Sequence, residues 1–279
     1  MRTVKADAIR RAVAELCIRA NRELPADVRA ALTAAYAAEP WPAAGRSLKL
    51  LLDNLQRAEE TCLPICQDTG LACVFLELGQ DVHIDGDLDA AVQSGIRDGY
   101  ARGYLRCSVV ADPLRRVNTG DNTPGVLSVH LVPGEVCRLT VLPKGFGSEN
   151  MSRLAMLTPA DGAEGVRRFV LETVRTAGPN PCPPIVVGVG IGGTFDSVAA
   201  LSKRALLRPL DQPHPDPYSA EMERALLAEI NALGIGPQGF GGKTTALGLA
   251  VETAPTHVAG LPVAVNISCH ATRRASASL

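Results

Sequence analysis

The sequence Pro64-Ile65-Cys66-Gln67-Asp68-Thr69-Gly70 places a thiol, an amide, a carboxylate and a hydroxyl at four consecutive positions. A proline precedes these four residues and a glycine follows them, which is typical of a turn. A turn that only reversed the chain would need the aspartate and the glycine, but not the thiol and the amide. We therefore interpret the segment as one wall of an active site.

The composition of the whole chain is that of an ordinary globular protein. Its 279 residues are 46% hydrophobic and 20% charged, which is enough for a sizeable core. The 28 basic and 29 acidic residues nearly cancel, so we expect no nucleic acid as the main partner. No apolar run reaches the roughly 18 residues of a membrane span, and no export signal is visible. We expect a cytoplasmic protein with reduced cysteines and no membrane partner.

The N-terminal part of the chain predicts a helical lead-in over about residues 1–61. Ile9, Val13, Leu16 and Ala20 recur with a helical period within residues 4–24. Two further helices are predicted from Asp27 to Ala38 and from about Gly45 to Glu60, and Asp27 is a suitable N-cap.

Downstream of residue 61, strands and helices alternate irregularly. A hairpin is predicted between strands 126–132 and 136–142, because Pro133-Gly134-Glu135 separates them. This order predicts an α+β fold, with a mixed, largely antiparallel sheet flanked by helices. We expect one catalytic domain over residues 1–274 and a flexible tail over 275–279. The other predicted strands are 71–78, 183–190, 245–252 and 261–267, and the other helices are 87–104, 161–177, 195–207 and 219–233.

Three short motifs suggest other protein classes but fit them poorly. Gly188–Gly193 has the G-x-G-x-x-G spacing of a dinucleotide site, yet no acidic strand end follows about 20 residues later. Close packing of a helix start explains these glycines better. Gly241-Gly242-Lys243-Thr244 resembles the end of a phosphate loop, but Pro237 stands where its first glycine belongs. Asp68-Thr69-Gly70 matches the aspartic-protease tripeptide in one copy only, where two carboxylates are needed.

The eight cysteines differ in their sequence surroundings. Three of them lie among polar or rigid neighbours, namely Cys66, Cys182 between prolines, and Cys269 between a serine and a histidine. Spacing alone leaves open whether these three share a metal or are structural. We expect four others to be small core residues, and Cys62 is ambiguous; the four are Cys17, Cys73, Cys107 and Cys137.

These three cysteines belong to four motifs that together resemble one enzyme family. The family comprises the α subunits, or N-terminal halves, of the iron–sulfur class I fumarases and L(+)-tartrate dehydratases, and the likeness extends to Arg274. The motifs are Cys66-Gln67-Asp68-Thr69-Gly70, Lys144-Gly145-Phe146-Gly147-Ser148-Glu149-Asn150, Cys182-Pro183-Pro184 with Gly188–Thr194, and Pro255-Thr256-His257 with Pro262–Asn266 and Cys269-His270-Ala271-Thr272-Arg273-Arg274.

The resemblance implies a [4Fe–4S] cluster held by Cys66, Cys182 and Cys269, with one iron left open for substrate. Four thiolates would complete an electron-transfer cluster, whereas three leave a Lewis acid. The implied enzyme is a hydro-lyase whose substrate is a small dicarboxylic or hydroxydicarboxylic acid. Reversible hydration of fumarate to malate is the first choice, and L(+)-tartrate dehydration is the alternative.

The resemblance also implies roles for the residues around the cluster. Asp68 is the candidate catalytic proton carrier, with a turn-capping Asx residue as the structural alternative. Arg106 matches an arginine that binds a substrate carboxylate, and a surface salt bridge is its alternative. The other implied substrate-binding residues are Gln67, Gly145, Gly147, Ser148, Asn150 and His257; for His257 a structural role stays open.

Two departures from the family pattern limit what the resemblance predicts. Phe146 replaces the middle glycine of its loop, which leaves the substrate open. The chain ends soon after Arg274, where single-chain members continue into a second domain. We therefore expect a separate β subunit and a dimer of heterodimers, with Arg273 and Arg274 at a subunit interface. A nucleotide-binding protein using the glycine-rich loops and a non-catalytic iron–sulfur scaffold are the remoter alternatives.

Overall fold

The structure, a computed structural model, describes residues 2–279 and divides into two compact units. Unit 1 contains the residues up to Pro25, Leu55–Phe146 and Arg273–Leu279, and unit 2 contains Ala26–Asn54 and Gly147–Thr272. Each unit is formed from segments that are distant in sequence. The single catalytic domain expected over residues 1–274 stays a prediction.

Ten strands, eight α-helices and two short 3₁₀ turns make up the described residues. In chain order they are β1 (Arg2–Lys5), α1 (Ala6–Arg22), α2 (Ala26–Ala38), α3 (Pro42–Thr61), β2 (Leu71–Gly79), β3 (Val82–Asp85), α4 (Leu88–Arg102), β4 (Val126–Val132), β5 (Cys137–Lys144), α5 (Phe146–Glu149), β6 (Arg153–Leu157), a 3₁₀ turn (Pro159–Asp161), α6 (Gly162–Ala177), β7 (Ile185–Gly192), α7 (Phe195–Ala205), α8 (Pro217–Ala232), a 3₁₀ turn (Pro237–Gly239), β8 (Ala246–Ala254), β9 (Leu261–Ser268) and β10 (Ala275–Ser278).

The predicted fold class is confirmed. Helices α1, α2 and α3 form the expected N-terminal lead-in, and the sheets are mixed. Within residues 2–279, four of the seven strand pairings are antiparallel and three are parallel. None of the helices in this range has both the length and the apolar character that a bilayer crossing requires.

Unit 1 is built on a four-stranded sheet in the order β10-β5-β2-β4, with a separate parallel pair β1-β3. Helices α1 and α4 pack against each other, and the predicted stripe Ile9, Val13, Leu16 and Ala20 is buried. These residues join the side chains of β2 and β5 in one apolar core. The sheet therefore positions the start of β2, which the segment at 66–70 precedes, and the end of β5, from which the segment at 144–146 continues.

The predicted hairpin between the strands at 126–132 and 136–142 is wrong. β4 and β5 both pair with β2, β4 in parallel and β5 antiparallel, so β2 lies between them. The connecting turn instead closes over the end of β2, because the Asp81 N–H donates to the Gly134 carbonyl at 3.0 Å. The turn residues were correctly identified. The two strands that flank the turn do not pair with each other, because β2 lies between them and forms the hydrogen bonds of both.

The C-terminal residues also differ from the prediction of a flexible tail over 275–279. Ala275–Ser278 form β10, which runs antiparallel to β5 from Ala275 opposite Val141 to Ser278 opposite Arg138. Ala275 is buried in the apolar core of unit 1. Serine and alanine do not predict a strand. They are sufficient here because the main chain of β10 makes the hydrogen bonds that cover the edge of β5.

Unit 2 is built on a second four-stranded sheet, in the order β6-β9-β7-β8. Helices α6 and α8 contribute apolar side chains to its core, which includes Val170, Val187 and Ile230. Helix α7 packs closely on β7. A Cβ atom on Gly188 would stand 2.1 Å from the Ser202 carbonyl oxygen, and one on Gly190 would stand 2.5 Å from that of Val198. The G-x-G-x-x-G spacing therefore permits helix packing, which confirms the structural interpretation of these glycines.

We predict that Gly188→Ala destabilises the protein, because the added methyl group collides with main-chain atoms of α7 that cannot move independently. The expected loss is about 1–3 kcal/mol of unfolding free energy, the usual effect of overpacking. Gly45→Ala is the matched control, since no heavy atom lies within 4 Å of its added Cβ and the site is helical. That variant should gain roughly 0.5–1 kcal/mol. Urea midpoints measure both, and equal midpoints would contradict the packing role of Gly188.

Candidate active site

The aspartate of the 66–70 segment has both carboxylate oxygens engaged by main-chain donors of unit 1. The Gly70 N–H donates to Asp68 Oδ1 at 2.9 Å, and the Phe146 N–H donates to Asp68 Oδ2 at 2.9 Å. The first bond is the Asx turn that the sequence offered as the structural role of this residue. The second bond fixes the plane of the carboxylate. Asp68 is half-buried, and each oxygen retains a lone pair for a further partner.

The carbonyl groups of the same turn accept hydrogen bonds from three distant side chains. The Tyr100 hydroxyl lies 2.9 Å from the carbonyl oxygens of both Thr69 and Gly70. Asn122 Nδ2 donates to the Gly70 oxygen at 3.2 Å, and Arg273 Nη2 donates to the Asp68 oxygen at 2.7 Å. Burial raises the pKa of the Tyr100 phenol, so the hydroxyl stays protonated and can donate at neutral pH. The turn is therefore held rigidly from within unit 1.

Thr69 links this turn to the predicted substrate-binding arginine. The Arg106 N–H donates to Thr69 Oγ1 at 2.9 Å, and Thr69 Oγ1 lies 3.2 Å from the Arg106 carbonyl oxygen. Thr69 is buried, whereas the residues Gln67 and Arg106 are exposed. The hydroxyl of the motif therefore fixes the main chain of Arg106 beside Asp68 and leaves the guanidinium accessible to a ligand.

The glycine at 145 faces the Asp68 carboxylate. A Cβ atom at this position would stand 3.1 Å from Asp68 Oδ2, so a larger residue would crowd that oxygen. The next residue, Phe146, donates its N–H to Asp68, and its side chain is exposed. The glycine that the family pattern places at 146 would offer the same donor, so this departure leaves the Asp68 contact unchanged.

In unit 2 a main-chain hydrogen bond joins the segments that carry two of the three predicted cluster ligands. The His270 N–H donates to the Cys182 carbonyl oxygen at 3.2 Å, which ties the chain after Cys269 to the Cys182 segment. Gln238 donates to the Pro183 carbonyl oxygen from both its main-chain N–H and Nε2, each at 2.7 Å. Cys182 is exposed and Cys269 is half-buried. The main chain on both sides of the Cys182 peptide groups is thus fixed by hydrogen bonds.

The third predicted ligand, Cys66, is half-buried and lies in unit 1. Across residues 2–279, no three His, Cys, Asp or Glu side chains gather closely enough to hold one metal ion. A single ion needs all of its ligands around one point, whereas the cysteines that bind a cubane each contact a different iron. The donor chemistry fits a cluster, because the described residues contain all eight cysteines as thiols without a disulfide.

Three of the four cysteines that the sequence assigned to the core are buried. Cys17, Cys73 and Cys137 are buried, and burial raises the pKa of the Cys17 thiol to about 12. Cys107 is half-buried and lies outside the strands, so its assignment to the core was wrong. Cys62, which the sequence left ambiguous, is exposed. Buried protonated thiols are poor metal ligands, so Cys17 is excluded from that role.

The loop that follows Phe146 is anchored within unit 2 by its glutamate. Glu149 accepts an ion-paired hydrogen bond from Lys203 Nζ and a bond from Asn266 Nδ2 at 3.1 Å. These two donors lie on α7 and β9, so the loop is fixed to the central part of the sheet. Ser148 is buried, whereas Gly147 and Asn150 are exposed and can present donors to a ligand.

His257 lies in a different environment from the other predicted residues of unit 2. Its Nδ1 accepts from the Ala259 N–H at 3.2 Å, which stabilises the turn between β8 and β9. It lines a cavity of about 420 Å³ with apolar side chains that include Ile191 and Met222. Cys182, Cys269 and the 147–150 loop are not among the residues that line this cavity. The structural role that the sequence left open for His257 is therefore observed, and its substrate contact stays a prediction.

The residues that support the site carry no recognisable signal in the sequence. Tyr100 carried no signal because it continues the apolar face of α4, and Asn122 lies in an irregular segment. Arg273 was assigned to a subunit interface, which is wrong for its side chain, because only 2% of Arg273 is exposed within this chain. The sequence around Arg273 gives no sign that the side chain is buried, because its partner Asp68 is 205 residues away.

Comparison with known proteins places this geometry in a family context. Residues 10–278 match the family model described as "Fumarate hydratase (Fumerase)". The chain is 43% identical over 270 residues to the "Putative L(+)-tartrate dehydratase subunit alpha" of Methanocaldococcus jannaschii, covering 94% of each protein. It is 37% identical over 228 residues to the "L(+)-tartrate dehydratase subunit alpha" of Escherichia coli strain UTI89, covering 80% of this chain and 75% of that protein. The Escherichia coli K12 protein of the same description is 36% identical over the same length.

We predict that Tyr100→Phe destabilises unit 1, because the buried carbonyl groups of Thr69 and Gly70 lose a shared donor. The expected loss is about 1–3 kcal/mol, the usual penalty for leaving a buried acceptor unsatisfied. Tyr36→Phe is the control, since 40% of Tyr36 is exposed. Urea unfolding of both variants tests this prediction. A Tyr100→Phe variant as stable as the control would mean that the hydroxyl does not hold the turn.

Proposed function

Because the chain belongs to the family of class I fumarate hydratases and L(+)-tartrate dehydratase α subunits, and is therefore a hydro-lyase subunit, we propose that it is the α subunit of an iron–sulfur L(+)-tartrate dehydratase. The observation that carries the choice of substrate is the 43% identity across 94% of the Methanocaldococcus jannaschii protein. This identity supports L(+)-tartrate dehydration over the hydration of fumarate to malate, the reaction first expected from the sequence.

The proposed cofactor is a [4Fe–4S] cluster on Cys66, Cys182 and Cys269. When bound with three protein thiolates, such a cluster supplies a Lewis acid with one open coordination position. The fixed backbone at Cys182 and Cys269, and the absence of disulfides among the described cysteines, support this assignment. The choice of these three cysteines follows the family motifs in which they stand, and the buried Cys17 is unsuited to the role.

The substrate is proposed to bind beside Asp68. Dehydration of tartrate removes a hydrogen from one carbon and a hydroxyl from the next, and the leaving oxygen must gain a proton. Asp68 is the proposed proton carrier, because its carboxylate plane is fixed by two N–H donors. Arg106, whose main chain is tied to Thr69, is proposed to bind a substrate carboxylate through two parallel hydrogen bonds.

The remaining proposed contacts come from the residues that flank these two. Gln67 is exposed next to Asp68 and offers an amide, while Gly145 leaves space at the Asp68 oxygen. Gly147, Ser148 and Asn150 are proposed to present donors to the second carboxylate. His257 is retained as a proposed substrate contact, although its observed bonds serve a turn.

A separate β subunit is part of the proposal, since the relatives are themselves described as α subunits. We propose that the holoenzyme is a dimer of αβ heterodimers in the cytoplasm. The β subunit would complete the substrate site, so the α chain alone is expected to bind the cluster and to turn over slowly.

The nucleotide-binding alternative is weakened by what occupies its loops. The Lys243 N–H, which a phosphate would need, donates to Glu39 Oε2 at 2.8 Å. A carboxylate held at that position repels a phosphate. The space beside the glycines of β7 is occupied by main-chain atoms of α7, which leaves no room for a phosphate. A non-catalytic iron–sulfur scaffold is distinguished from the enzyme by activity alone.

We predict that the anaerobically reconstituted αβ complex dehydrates L(+)-tartrate in preference to malate. A site that hydrogen-bonds the second hydroxyl leaves polar groups unpaired when malate binds, so kcat/KM should differ by roughly 10²-fold or more. Steady-state rates with both acids measure this ratio. A preference for malate would return the assignment to fumarate hydratase, and a cluster-containing complex inactive on both would favour the scaffold.

We predict that serine at any of Cys66, Cys182 or Cys269 removes the cluster, because a hydroxyl replaces a thiolate ligand. Anaerobic iron and sulfide analysis of each variant should show a loss of most of the iron, together with activity. Cys73→Ser is the control, since Cys73 is 2% exposed in the core and should lose stability but keep the cluster. The reverse pattern, with iron lost only from the Cys73 variant, would show that the wrong thiols were chosen.

A further inference from the structure

Arg273 is a buried cation that the proposed function leaves unexplained. It lies between β9 and β10 in unit 1 and is 2% exposed, which makes it the largest of the fully buried side chains among the described residues. Its Nη2 donates to the Asp68 carbonyl oxygen at 2.7 Å. Its Nε and Nη1 have no hydrogen-bond partner within residues 2–279.

The guanidinium lies on the same side of Gly145 as the Asp68 carboxylate. A Cβ atom on Gly145 would stand 3.1 Å from Asp68 Oδ2 and 4.0 Å from Arg273 Nη2. Arg273 and Asp68 also act on the Tyr100 phenol with opposite sign, the former lowering and the latter raising its pKa. The guanidinium therefore lies beside the Asp68 turn and close enough to Tyr100 on α4 to influence its phenol.

Stability alone does not account for an arginine at this position. A buried charge with two unsatisfied donors is unfavourable, and an apolar side chain of similar length would avoid that penalty. Arg208 shows the usual solution, because it is also largely buried but pairs with the Glu223 carboxylate. The one hydrogen bond that Arg273 makes goes to the residue proposed as proton carrier.

We propose that Arg273 is a positioning residue of the hydro-lyase site, which sets the Asp68 carboxylate in place by holding the Asp68 carbonyl group. This inference rests on the proposed function of Asp68. The later carbonyls of the turn are held by Tyr100 and Asn122, whereas the Asp68 carbonyl is held by Arg273. Without that bond the peptide group can rotate, which weakens the alignment of the carboxylate with the Gly70 and Phe146 donors.

The test uses Arg273→Met in the reconstituted αβ holoenzyme, with Arg273→Lys as the conservative variant. We expect Arg273→Met to retain its iron and sulfide and to unfold at nearly the wild-type temperature, because relief of the two unsatisfied guanidinium donors offsets the loss of the donor to the Asp68 carbonyl. Its kcat on tartrate should fall about 10²-fold, the effect of a catalytic group displaced by about 1 Å, while KM stays nearly constant. Arg273→Lys keeps a donor and a charge, so it should recover part of kcat.

Arg208→Met is the matched control, because it removes a buried arginine that is remote in sequence from the 66–70 turn and paired with Glu223. We expect the opposite pattern: a lower unfolding temperature, since Glu223 is left without its partner, and an unchanged kcat in the folded holoenzyme. Wild-type kcat in Arg273→Met would overturn the proposal. So would parallel losses of stability and activity in Arg273→Met that Arg273→Lys restores together, because that pattern describes a structural residue.

A second measurement separates this inference from the proposed function. The Gly70 and Phe146 amide hydrogens are bonded to the two Asp68 carboxylate oxygens, so their exchange with solvent reports the position of the carboxylate without any activity. We expect both amides to exchange faster in Arg273→Met than in the wild type or in Arg208→Met. Unchanged exchange would overturn the role of Arg273, whereas faster exchange in an enzyme that does not dehydrate tartrate would leave that role intact and refute the function.

Discussion

The structure of the candidate site depends on the need of buried carbonyl groups for donors. The turn at residues 68–70 points three carbonyl oxygens into unit 1, where water cannot satisfy them. Tyr100, Asn122 and Arg273 supply the missing hydrogens from three other parts of the chain. The same turn presents Asp68 outward between two N–H donors. The Asp68 carboxylate is therefore held in place because the carbonyl groups of its turn have hydrogen-bond donors.

Unit 2 applies the same constraint to its thiols and its loop. The Cys182 and Pro183 carbonyls accept from His270 and Gln238, so the backbone that carries the cysteine is fixed. Glu149 is held between a lysine of α7 and Asn266 of β9. In both units the residues proposed for the site belong to segments whose main-chain groups are hydrogen-bonded to other parts of the chain. This preorganisation is what a site needs in order to bind a small acid in one orientation.

The local elements were predictable because their signals are short in range. The apolar period of α1, the helix expected over 87–104 and the buried run of β7 depend on neighbours within one or two turns. The pairing of β4 and the strand at 275–278 were not predictable, because each depends on a strand more than 40 residues away. The glycines at 188 and 190 show the same limit, since their spacing fits two structures and only the position of α7 distinguishes them.

The sequence by itself determined the fold class, the motif residues and the family to which they belong, because these depend on residue type and order. The tertiary structure decided which groups satisfy one another. Arg273 meets Asp68 across 205 residues and Tyr100 meets Thr69 across 31. Such partners are selected by the packing of helices and strands into a core. A hydrogen bond between distant residues does not produce a periodic pattern in either segment, so it cannot be predicted from the sequence.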